Sequence, residues 1–256
     1  LRALAADLPG IDVEVYQRFD QDPHHPVLGA GDPAARVCLF GRDPGRDEIK
    51  HQLPFVGAGG QKVRQGLWRR LRGGELPDFE ASVAIGERVF WANTVPFKPV
   101  GNKAWGIRVR KAFHPHVSDL LVHGWRGADV ITLGQNAFTW FGLMLDRDGR
   151  RSHEAFWKRE DRFETHTEVA LTAPDGATKL VRVWPLPHPS PLNATWYSRF
   201  SALLDQRLDQ LRAEGVGFRC GVSVGEDVSL EALRSEYDAV LLAVGAWERA
   251  RFIRPE

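Results

Sequence analysis

The fold is decided by the stretch VCLFGRDPG, residues 37–45, in which an apolar run ends in a polar turn. A short, fully apolar run predicts a strand that is buried on both faces, as in a parallel sheet covered by helices. In open parallel sheets, ligands bind in the crevice beyond the carboxyl ends of the strands. The turn, with Asp43 near its centre, is therefore expected to border a binding site.

Two later segments repeat this arrangement. The run at 180–184 precedes the loop HPSPLN, residues 188–193, and the run at 90–92 ends at Asn93. Because the carboxyl ends of parallel strands lie at one edge of a sheet, the three segments are expected to meet there. The sequence thus predicts a cleft that brings Asp43, Asn93 and His188 together.

Strand-like and helical patterns alternate through residues 36–212. Strands are predicted at 36–40, 89–93, 128–133 and 180–185, and helices at 62–72, 108–123, 136–145 and 197–212. This order predicts an α/β fold with three layers, in which helices cover both faces of a central four-stranded parallel sheet. Residues 1–34 are expected to be an irregular arm with few helices, and residues 146–179 an insertion that ends in a β-hairpin.

The pattern changes near the end of the chain. We therefore expect one domain over residues 1–212 and a short C-terminal appendage over residues 213–256. Within the appendage, a Gly-punctuated stretch at 216–224 precedes a short helix at 229–236 with Ser229 as its N-cap, and an apolar strand follows at 239–244.

The composition is that of a folded domain. Hydrophobic residues make up 43% of the chain and tryptophan occurs nine times, which is enough for a packed core. The two cysteines, Cys38 and Cys220, provide neither a disulfide framework nor a metal site, so no metal or cofactor is expected. No apolar segment reaches the roughly 18 to 20 residues of a membrane span, and the first residues lack the apolar core of a signal peptide. These features predict a cytoplasmic protein without membrane contact.

The net charge of +1 conceals an uneven distribution. Residues 36–72 carry nine Lys and Arg against three acids, and residues 94–114 carry five against none. Residues 201–256 carry seven against ten. Because the two basic segments flank the candidate loops, they favour contact with phosphates, although such runs are also common on solvated surfaces.

Taken together, these motifs resemble those of the uracil-DNA glycosylase superfamily. Residues 26–67 are similar to the iron–sulfur-type bacterial enzymes, whose first motif continues into a Pro-Phe-Val-Gly run like that at 54–57. Asp43 before Pro44 matches the ubiquitous enzymes instead, as do Asn93 and the loop at 188–192. The resemblance covers roughly residues 20–212 and implies hydrolysis of the glycosidic bond of uracil in DNA, with the nucleotide flipped out of the helix.

The resemblance assigns the catalytic roles to Asp43 and His188. The carboxylate would orient the attacking water and oppose positive charge on the sugar, and the imidazole would donate to the departing pyrimidine oxygen. Each segment also has a structural alternative. Asp-Pro-Gly is a good turn whose carboxylate caps the following amides, and His188 could be a surface residue on a rigid, Pro-rich strand exit.

Three positions are expected to recognise the base. The amide of Asn93 can donate and accept together, as pairing with the uracil edge requires, and Phe55 could stack on the ring. Gly45 stands where the ubiquitous enzymes carry a Tyr that excludes the methyl group of thymine, which implies weaker discrimination against 5-substituted uracils. As alternatives, Asn93 could cap the next turn and Phe55 could belong to the core.

The remaining candidates would contact the DNA and lie in two segments. They are Ser190, Pro191, Leu192 and Asn193 in one, and Gly57, Gly59 and Lys62 in the other. Leu192 is predicted to enter the gap left by the flipped base, since apolar wedges act in this way. The run at 57–60 would bring backbone amides to a phosphate at the start of a helix, and it could equally be a flexible turn.

Two departures from the family concern the chemistry. The iron–sulfur-type enzymes bind their cluster through four cysteines, and the two present here cannot do so, which implies a protein without a cluster. The same enzymes carry an acid where Arg42 stands. Arg42 is expected to favour the charged form of Asp43 if its side chain turns inward.

The C-terminal appendage has a second, unrelated resemblance. Residues 215–249 are similar to a segment of the glutamate synthase small-subunit flavoproteins, but no GxGxxG motif is present, so a working flavin or nicotinamide site is not expected. Our prediction is a monomeric glycosylase acting on uracil in DNA. Its alternatives are a glycosylase for another deaminated base, such as hypoxanthine or xanthine, and a catalytically silent DNA-binding protein of the same fold.

Overall fold

The computed structural model describes residues 1–191, 193–213, 223–236 and 240. By their internal packing, two compact units are distinguished, Leu1–Gly217 and Phe218–Glu256. The first unit contains the sheet and the candidate residues.

A six-stranded sheet forms the centre of the first unit. Its strands are β1 (Ala30–Gly31), β2 (Val37–Gly41), β3 (Phe90–Asn93), β4 (Asp129–Leu133), β5 (Thr167–Thr172) and β6 (Thr178–Leu186). The order across the sheet is β1-β3-β2-β4-β6-β5. The four central strands are parallel, which confirms the prediction, and β1 and β5 add antiparallel edges.

Helices surround this sheet. In the first unit they are α1 (Arg2–Ala6), α2 (Val13–Arg18), α3 (Arg46–His51), α4 (Ala58–Leu71), α5 (Phe79–Gly86), α6 (Ile107–His123), α7 (Gln135–Trp140), α8 (Arg147–Trp157), α9 (Ala194–Tyr197) and α10 (Phe200–Ala213).

Alternate residues of the central strands pack on opposite faces of the sheet. Cys38 and Phe40 of β2 belong to a core cluster that includes side chains of α6, α7 and α8. Val37 and Leu39 belong to a second cluster, with side chains of α4, α5 and α10. Because both faces are buried, the central strands read as continuous apolar runs, and the predicted three-layer arrangement is confirmed.

The expectation of an irregular N-terminal arm is wrong, because residues 1–34 contain α1 and α2. Leu1, Leu4, Ala5 and Leu8 follow the spacing of one helical face. Together with Tyr16, which is fully buried, they pack in a third cluster that includes Phe97 and Phe113. The Pro- and Gly-rich stretch after Phe19 obscured this signal.

Other differences concern where helices begin and end. The helix predicted at 136–145 ends at Trp140, and the one predicted at 197–212 is divided into α9 and α10. The insertion does end in the predicted hairpin, in which Thr172 pairs with Thr178. It also contains α8, whose many charged residues hid a buried face formed by His153 and Phe156.

In the second unit, the described residues include one helix, α11 (Leu230–Glu236). The amide of Ala232 donates to Ser229 Oγ at 3.1 Å, which confirms Ser229 as the predicted cap. The strand predicted at 239–244 and most of the stretch at 216–224 lie outside the described residues. Across the described parts of both units, no helix is both long and apolar enough to cross a membrane.

Candidate active site

A cleft of about 790 Å³ lies at the carboxyl edge of the parallel strands. It is lined by the loop after β2, the end of β3, the turn into α4 and the loop after β6. Of the predicted site residues, these belong to its lining: Asp43, Gly45, Phe55, Gly57, Gly59, Asn93, His188, Ser190, Pro191 and Asn193. The structure thus brings together segments that lie as far apart in the chain as positions 43 and 193, as their place after parallel strands predicts.

Asp43 is the deeply buried carboxylate of this cleft, with a side chain only 1% exposed. Its Oδ2 lies 2.9 Å from Arg42 Nε, but the direction of approach is not that of a hydrogen bond, so both atoms are buried without a hydrogen-bond partner. Thr94 Oγ1 lies 3.5 Å from Oδ1, at the limit of a hydrogen bond. The carboxylate is therefore close to a cation yet poorly satisfied.

The pKa of Asp43 is raised from 3.8 to about 7, because burial removes the charged form from water. Arg42 and Thr94 both act to lower it. Arg42 does favour the charged form of Asp43, as expected. The pKa of Asp43 is nevertheless raised, because desolvation is the larger effect. Near neutral pH the group exchanges a proton readily, as a general base requires.

Nor does Asp43 cap the turn that follows it. The amide of Gly45 donates to Glu48 Oε2 at 2.9 Å instead. The contacts of the carboxylate are to side chains, as expected for a group that faces the cleft.

His188 is half-buried in the loop after β6. Gly134, at the end of β4, packs against it so closely that an added Cβ would lie 3.0 Å from His188 Cβ. On the other side, Asn193 Nδ2 donates to the carbonyl of His188 at 3.3 Å. Burial, and to a lesser extent the charge of Arg42, lowers the pKa of His188 to about 4, so the imidazole is neutral at pH 7.

Asn93 and Phe55 meet beside Gly41. Asn93 is 7% exposed and pairs in register with Gly41, the last residue of β2. A Cβ at Gly41 would lie 2.9 Å from Asn93 Oδ1 and 2.4 Å from the Phe55 ring. The missing side chain at 41 therefore leaves room for an amide and an aromatic ring at the floor of the cleft.

The segments predicted to contact DNA touch one another. Gly59, in the first turn of α4, lies so close to the loop after β6 that an added Cβ would be 3.2 Å from the carbonyl oxygen of Pro189. Lys62 is not free to reach outward: its Nζ donates to the carbonyl of Tyr197 at 2.7 Å and lies 3.6 Å from the centre of that ring. Leu192 lies outside the described residues.

The comparison with protein families agrees with this geometry. Residues 28–212 match the Uracil DNA glycosylase superfamily, which is more than half of the chain. The chain belongs to this superfamily. Its members act on DNA, and the matched region includes the whole cleft described above. Within the described residues, no three His, Cys, Asp or Glu side chains are placed to hold a metal ion.

A second set of relatives matches only a short segment. The glutamate synthase [NADPH] small chain of Mycobacterium tuberculosis is 63% identical over 43 residues, which are 17% of this chain and 9% of that protein. The putative glutamate synthase [NADPH] small chain of Cereibacter sphaeroides is 40% identical over 50 residues, 20% of this chain and 12% of that protein. The likeness is thus to a fragment, and the superfamily membership rests on a much longer match.

Sequence reasoning missed Glu48, which holds two loops of this glycosylase-superfamily cleft together. Its carboxylate is buried and accepts from the amide of Gly45 at 2.9 Å and from that of Gly57 at 2.7 Å. A Cβ at Gly45 would lie 2.7 Å from Glu48 Oε2. The amide of Gly57 is therefore occupied, and the phosphate contact predicted for the run at 57–60 stays a prediction for its other amides. Glu48 follows Gly45 at the spacing of a capping box, and this was the available signal.

Arg64 was missed as well, although it fixes the shape of the Phe55 turn. Phe55 has a left-handed φ of 57°, which is rare for a non-Gly residue. Arg64 is buried and donates to the carbonyls of Pro54 at 3.0 Å and Phe55 at 2.8 Å. Its guanidinium also lies 4.6 Å from the centre of the Trp91 ring, and the ring centres of Trp91 and Phe55 are 4.9 Å apart. A basic residue in an amphipathic helix gives no such signal in a sequence.

Proposed function

We propose that this protein is a monofunctional uracil-DNA glycosylase, which flips deoxyuridine out of the helix, hydrolyses its N-glycosidic bond and leaves an abasic site. The observation that carries the proposal is the convergence in one cleft of Asp43, Phe55, Asn93 and His188, which come from four separate segments. Superfamily membership supplies the class of reaction, and the cleft supplies groups suited to it.

Asp43 acts as the general base. A water molecule attacks C1′ of the sugar as the bond from C1′ to N1 of uracil breaks, and the carboxylate takes the proton that the water loses. As an anion, the carboxylate also stabilises the positive charge that develops on the sugar. Support comes from its burial beside the cleft and its pKa of about 7, since a base works best with a pKa near the operating pH.

His188 stabilises the departing base. As the bond breaks, negative charge collects on the pyrimidine oxygens, and a neutral imidazole can donate its N–H to one of them. The lowered pKa of His188 supports this role, because the ring does not need to carry a charge in order to donate. Gly134 and Asn193 hold the residue from two sides.

Asn93 and Phe55 recognise the base. The amide of Asn93 pairs with the uracil edge, and the ring of Phe55 stacks on its face, which contributes about 1 to 3 kcal/mol. Gly45 places no side chain against the base. We therefore expect weaker discrimination against 5-substituted uracils than a bulky residue would give, on the scale of about 1 to 3 kcal/mol.

The loop at 188–193 and the turn at 57–60 contact the DNA on either side of the flipped nucleotide. In this proposal Leu192 fills the gap in the stack, with Ser190, Pro191 and Asn193 beside it. The glycosylase domain comprises residues 1–212 and works as a monomer without a cofactor. Residues 213–256 are an appendage that resembles a flavoprotein fragment and take no part in the reaction.

The test is an excision assay on matched duplexes that differ in one base. Duplexes with a single uracil, a thymine opposite guanine, or a hypoxanthine are incubated with the purified protein, and abasic sites are cleaved by alkali. We expect cleavage of the uracil strand, slower cleavage at the thymine mismatch and none at hypoxanthine.

Two results would overturn the proposal in different ways. Excision of hypoxanthine in preference to uracil would replace the substrate and keep the reaction class. Tight duplex binding with no abasic product from any strand would identify a DNA-binding protein that has no glycosylase activity.

A further inference from the structure

The charges lining the catalytic cleft do not suit a polyanion. Arg42 and Arg46 stand there against Asp43, Asp47 and Glu48. Of the groups expected to contact DNA, Lys62 and the amide of Gly57 are already bound within the protein. Because phosphate neutralisation by Lys and Arg provides most of the sequence-independent affinity for DNA, the contacts of the loop at 188–193 and the turn at 57–60 need a basic surface beside this cleft to support them.

A second cavity has the opposite charge. It has a volume of about 310 Å³ and lies between α6, α7 and α8. Its ionisable lining residues are Arg110, Arg150 and Lys158, against Glu154 alone. Trp157 adds an aromatic wall, and Gln135 and Thr139 add polar groups. The cavity therefore has a net positive lining with both apolar and hydrogen-bonding surface.

Two guanidinium groups are fixed at this cavity with donors to spare. Arg150 Nη2 donates to the carbonyls of Leu143 at 3.1 Å and Leu145 at 3.4 Å, which holds the side chain in place. Arg110 Nη1 lies 3.5 Å from the carbonyl of Asn136. The Nε atoms of both arginines are buried without a hydrogen-bond partner. Both side chains are only partly buried, and an anionic oxygen in the cavity would accept charge-assisted hydrogen bonds from their accessible N–H groups.

Arg110 also connects this cavity to the catalytic cleft. Its charge acts on Asp43 and lowers the pKa of that carboxyl, so the two groups are electrostatic neighbours. Arg108 and Lys111 lie exposed next to it on α6, in the basic segment at 94–114. A strand that delivers a nucleotide to Asp43 thus passes close to a positively charged surface.

We propose that the cavity between α6, α7 and α8 binds a phosphodiester group of the DNA strand beside the flipped nucleotide. This inference rests on the proposed function for the identity of its ligand. The anion lies against Arg110, Arg150 and Lys158, and Trp157 packs against the adjoining sugar or base. Glu154 limits the affinity by repelling the same group.

The test compares two substitutions that each remove one positive charge. Lys158, which directly follows α8, lines the cavity, whereas Arg151 is exposed within α8 and does not line it. Affinity for a duplex without uracil is measured by fluorescence anisotropy between about 50 and 200 mM salt. Lys158→Gln is expected to raise the Kd on the order of fivefold and to reduce the salt slope by about 1, whereas Arg151→Gln leaves the slope near that of the wild type. Glu154→Gln is expected to lower the Kd about twofold.

Equal losses of duplex affinity in Lys158→Gln and Arg151→Gln would overturn the proposal, because the effect would then come from the overall charge of the protein and not from a contact in the cavity. An unchanged Kd in Lys158→Gln would overturn it too. Inorganic phosphate is titrated calorimetrically as a separate arm. Saturable phosphate binding that Lys158→Gln abolishes, with no change in the DNA salt slope, would identify a site for free anions instead.

Excision separates this inference from the proposed function. With the uracil duplex at subsaturating protein, Lys158→Gln is expected to lower the excision rate in proportion to its weaker binding, whereas Arg151→Gln is expected to keep the wild-type rate. If the wild type forms no abasic product, the proposed function fails, and the binding data still decide whether the cavity contacts DNA.

Discussion

Two buried aspartates at opposite ends of the parallel sheet differ in how they are satisfied. Asp129, at the amino end of β4, has a side chain 1% exposed and is held by Arg36, Arg182 and the Trp184 indole at 2.7 to 2.9 Å. Asp43, beyond the carboxyl end of β2, is equally buried but has one poorly directed cation and one weak hydroxyl contact. Burial is the same, and the partners are not.

This difference separates a fully paired carboxylate from an incompletely paired one. At the amino end of the sheet, Asp129 is paired with two arginines, and it joins β4 to β6 through Arg182 and to the segment before β2 through Arg36. At the carboxyl end, incomplete pairing leaves the carboxylate basic enough to take a proton near pH 7. Strain of this kind is tolerated at functional sites because the surrounding fold supports it.

The largest expected effect is the loss of uracil excision in the Asp43→Asn variant. An amide cannot take the proton of the attacking water, so we expect the single-turnover rate to fall by about 10³-fold while duplex affinity is retained. His188→Ala is the matched comparison and is expected to lose about 10²-fold, since it removes one donor to the leaving group. Rates close to wild type in both variants would refute the assigned roles.

The same Asp43→Asn substitution is expected to stabilise the fold. Because the pKa of Asp43 is raised by folding, the native state binds more protons than the unfolded state between about pH 4 and 7, and wild-type stability falls as pH rises through that window. The variant escapes this loss and should be more stable by about 4 kcal/mol at pH 8 and little changed at pH 4. Urea unfolding at both pH values measures this.

Asp129→Asn should behave in the opposite way. The amide leaves Arg36 and Arg182 without their shared anion in a buried position, and we expect a loss of about 3 kcal/mol in unfolding free energy. Below its melting range, the folded protein should excise uracil at the wild-type rate. A loss of activity greater than the folded fraction explains would mean that the two ends of the sheet are coupled.

A smaller effect is expected from Glu48→Gln. The amide retains one acceptor and presents N–H groups to a backbone N–H, so one of the two loops at Gly45 and Gly57 loses its anchor. We expect excision to slow about tenfold, since reacting groups misplaced by a fraction of an ångström lose rate steeply. Asp47→Asn, which changes a neighbouring charge in the same cleft, is the control. If both variants slow excision equally, the cause is the lost negative charge and not the position of the two loops.

The smallest effect is expected in the pH dependence. The wild-type rate should rise with pH up to about 7 as Asp43 loses its proton and stay level above it, because His188 is neutral throughout. Arg42→Gln removes a group that lowers the pKa of Asp43, so the profile should move to higher pH. At pH 7 this is a loss of about threefold to tenfold, recovered at pH 9. Arg46→Gln, at a more exposed position, should leave the profile in place.

The sheet and the composition of the cleft were predictable because they depend on local signals. Apolar runs marked β2, β3, β4 and β6, and the position of Asp43, Asn93 and His188 after three of them predicted that they meet. The N-terminal helices were not recognised, because their buried face is completed only by Phe97 and Phe113, far along the chain.

What could not be predicted depends on contacts between distant segments. The net pKa shift of Asp43 is a balance between burial and Arg42, and the sequence shows the arginine but not the burial. Likewise, the hydrogen bonds from Arg64 to the Phe55 turn form only in the folded chain, and the cavity between α6, α7 and α8 exists only when these helices pack together. Glu48 is the intermediate case, since its spacing from Gly45 was visible and its reach to Gly57 was not.

The glycines on the cleft floor limit how its specificity could change. A Cβ at Gly41 would meet the Phe55 ring at 2.4 Å, one at Gly60 would meet the Phe55 carbonyl oxygen at 2.1 Å, and one at Gly45 would meet Glu48 Oε2 at 2.7 Å. At these three positions the chain already has the smallest side chain available, so substitution there can only take space away. A larger residue at any of the three would displace the Phe55 turn or Glu48, so a change in the range of accepted bases has to come from positions that already carry a side chain, such as Phe55 itself.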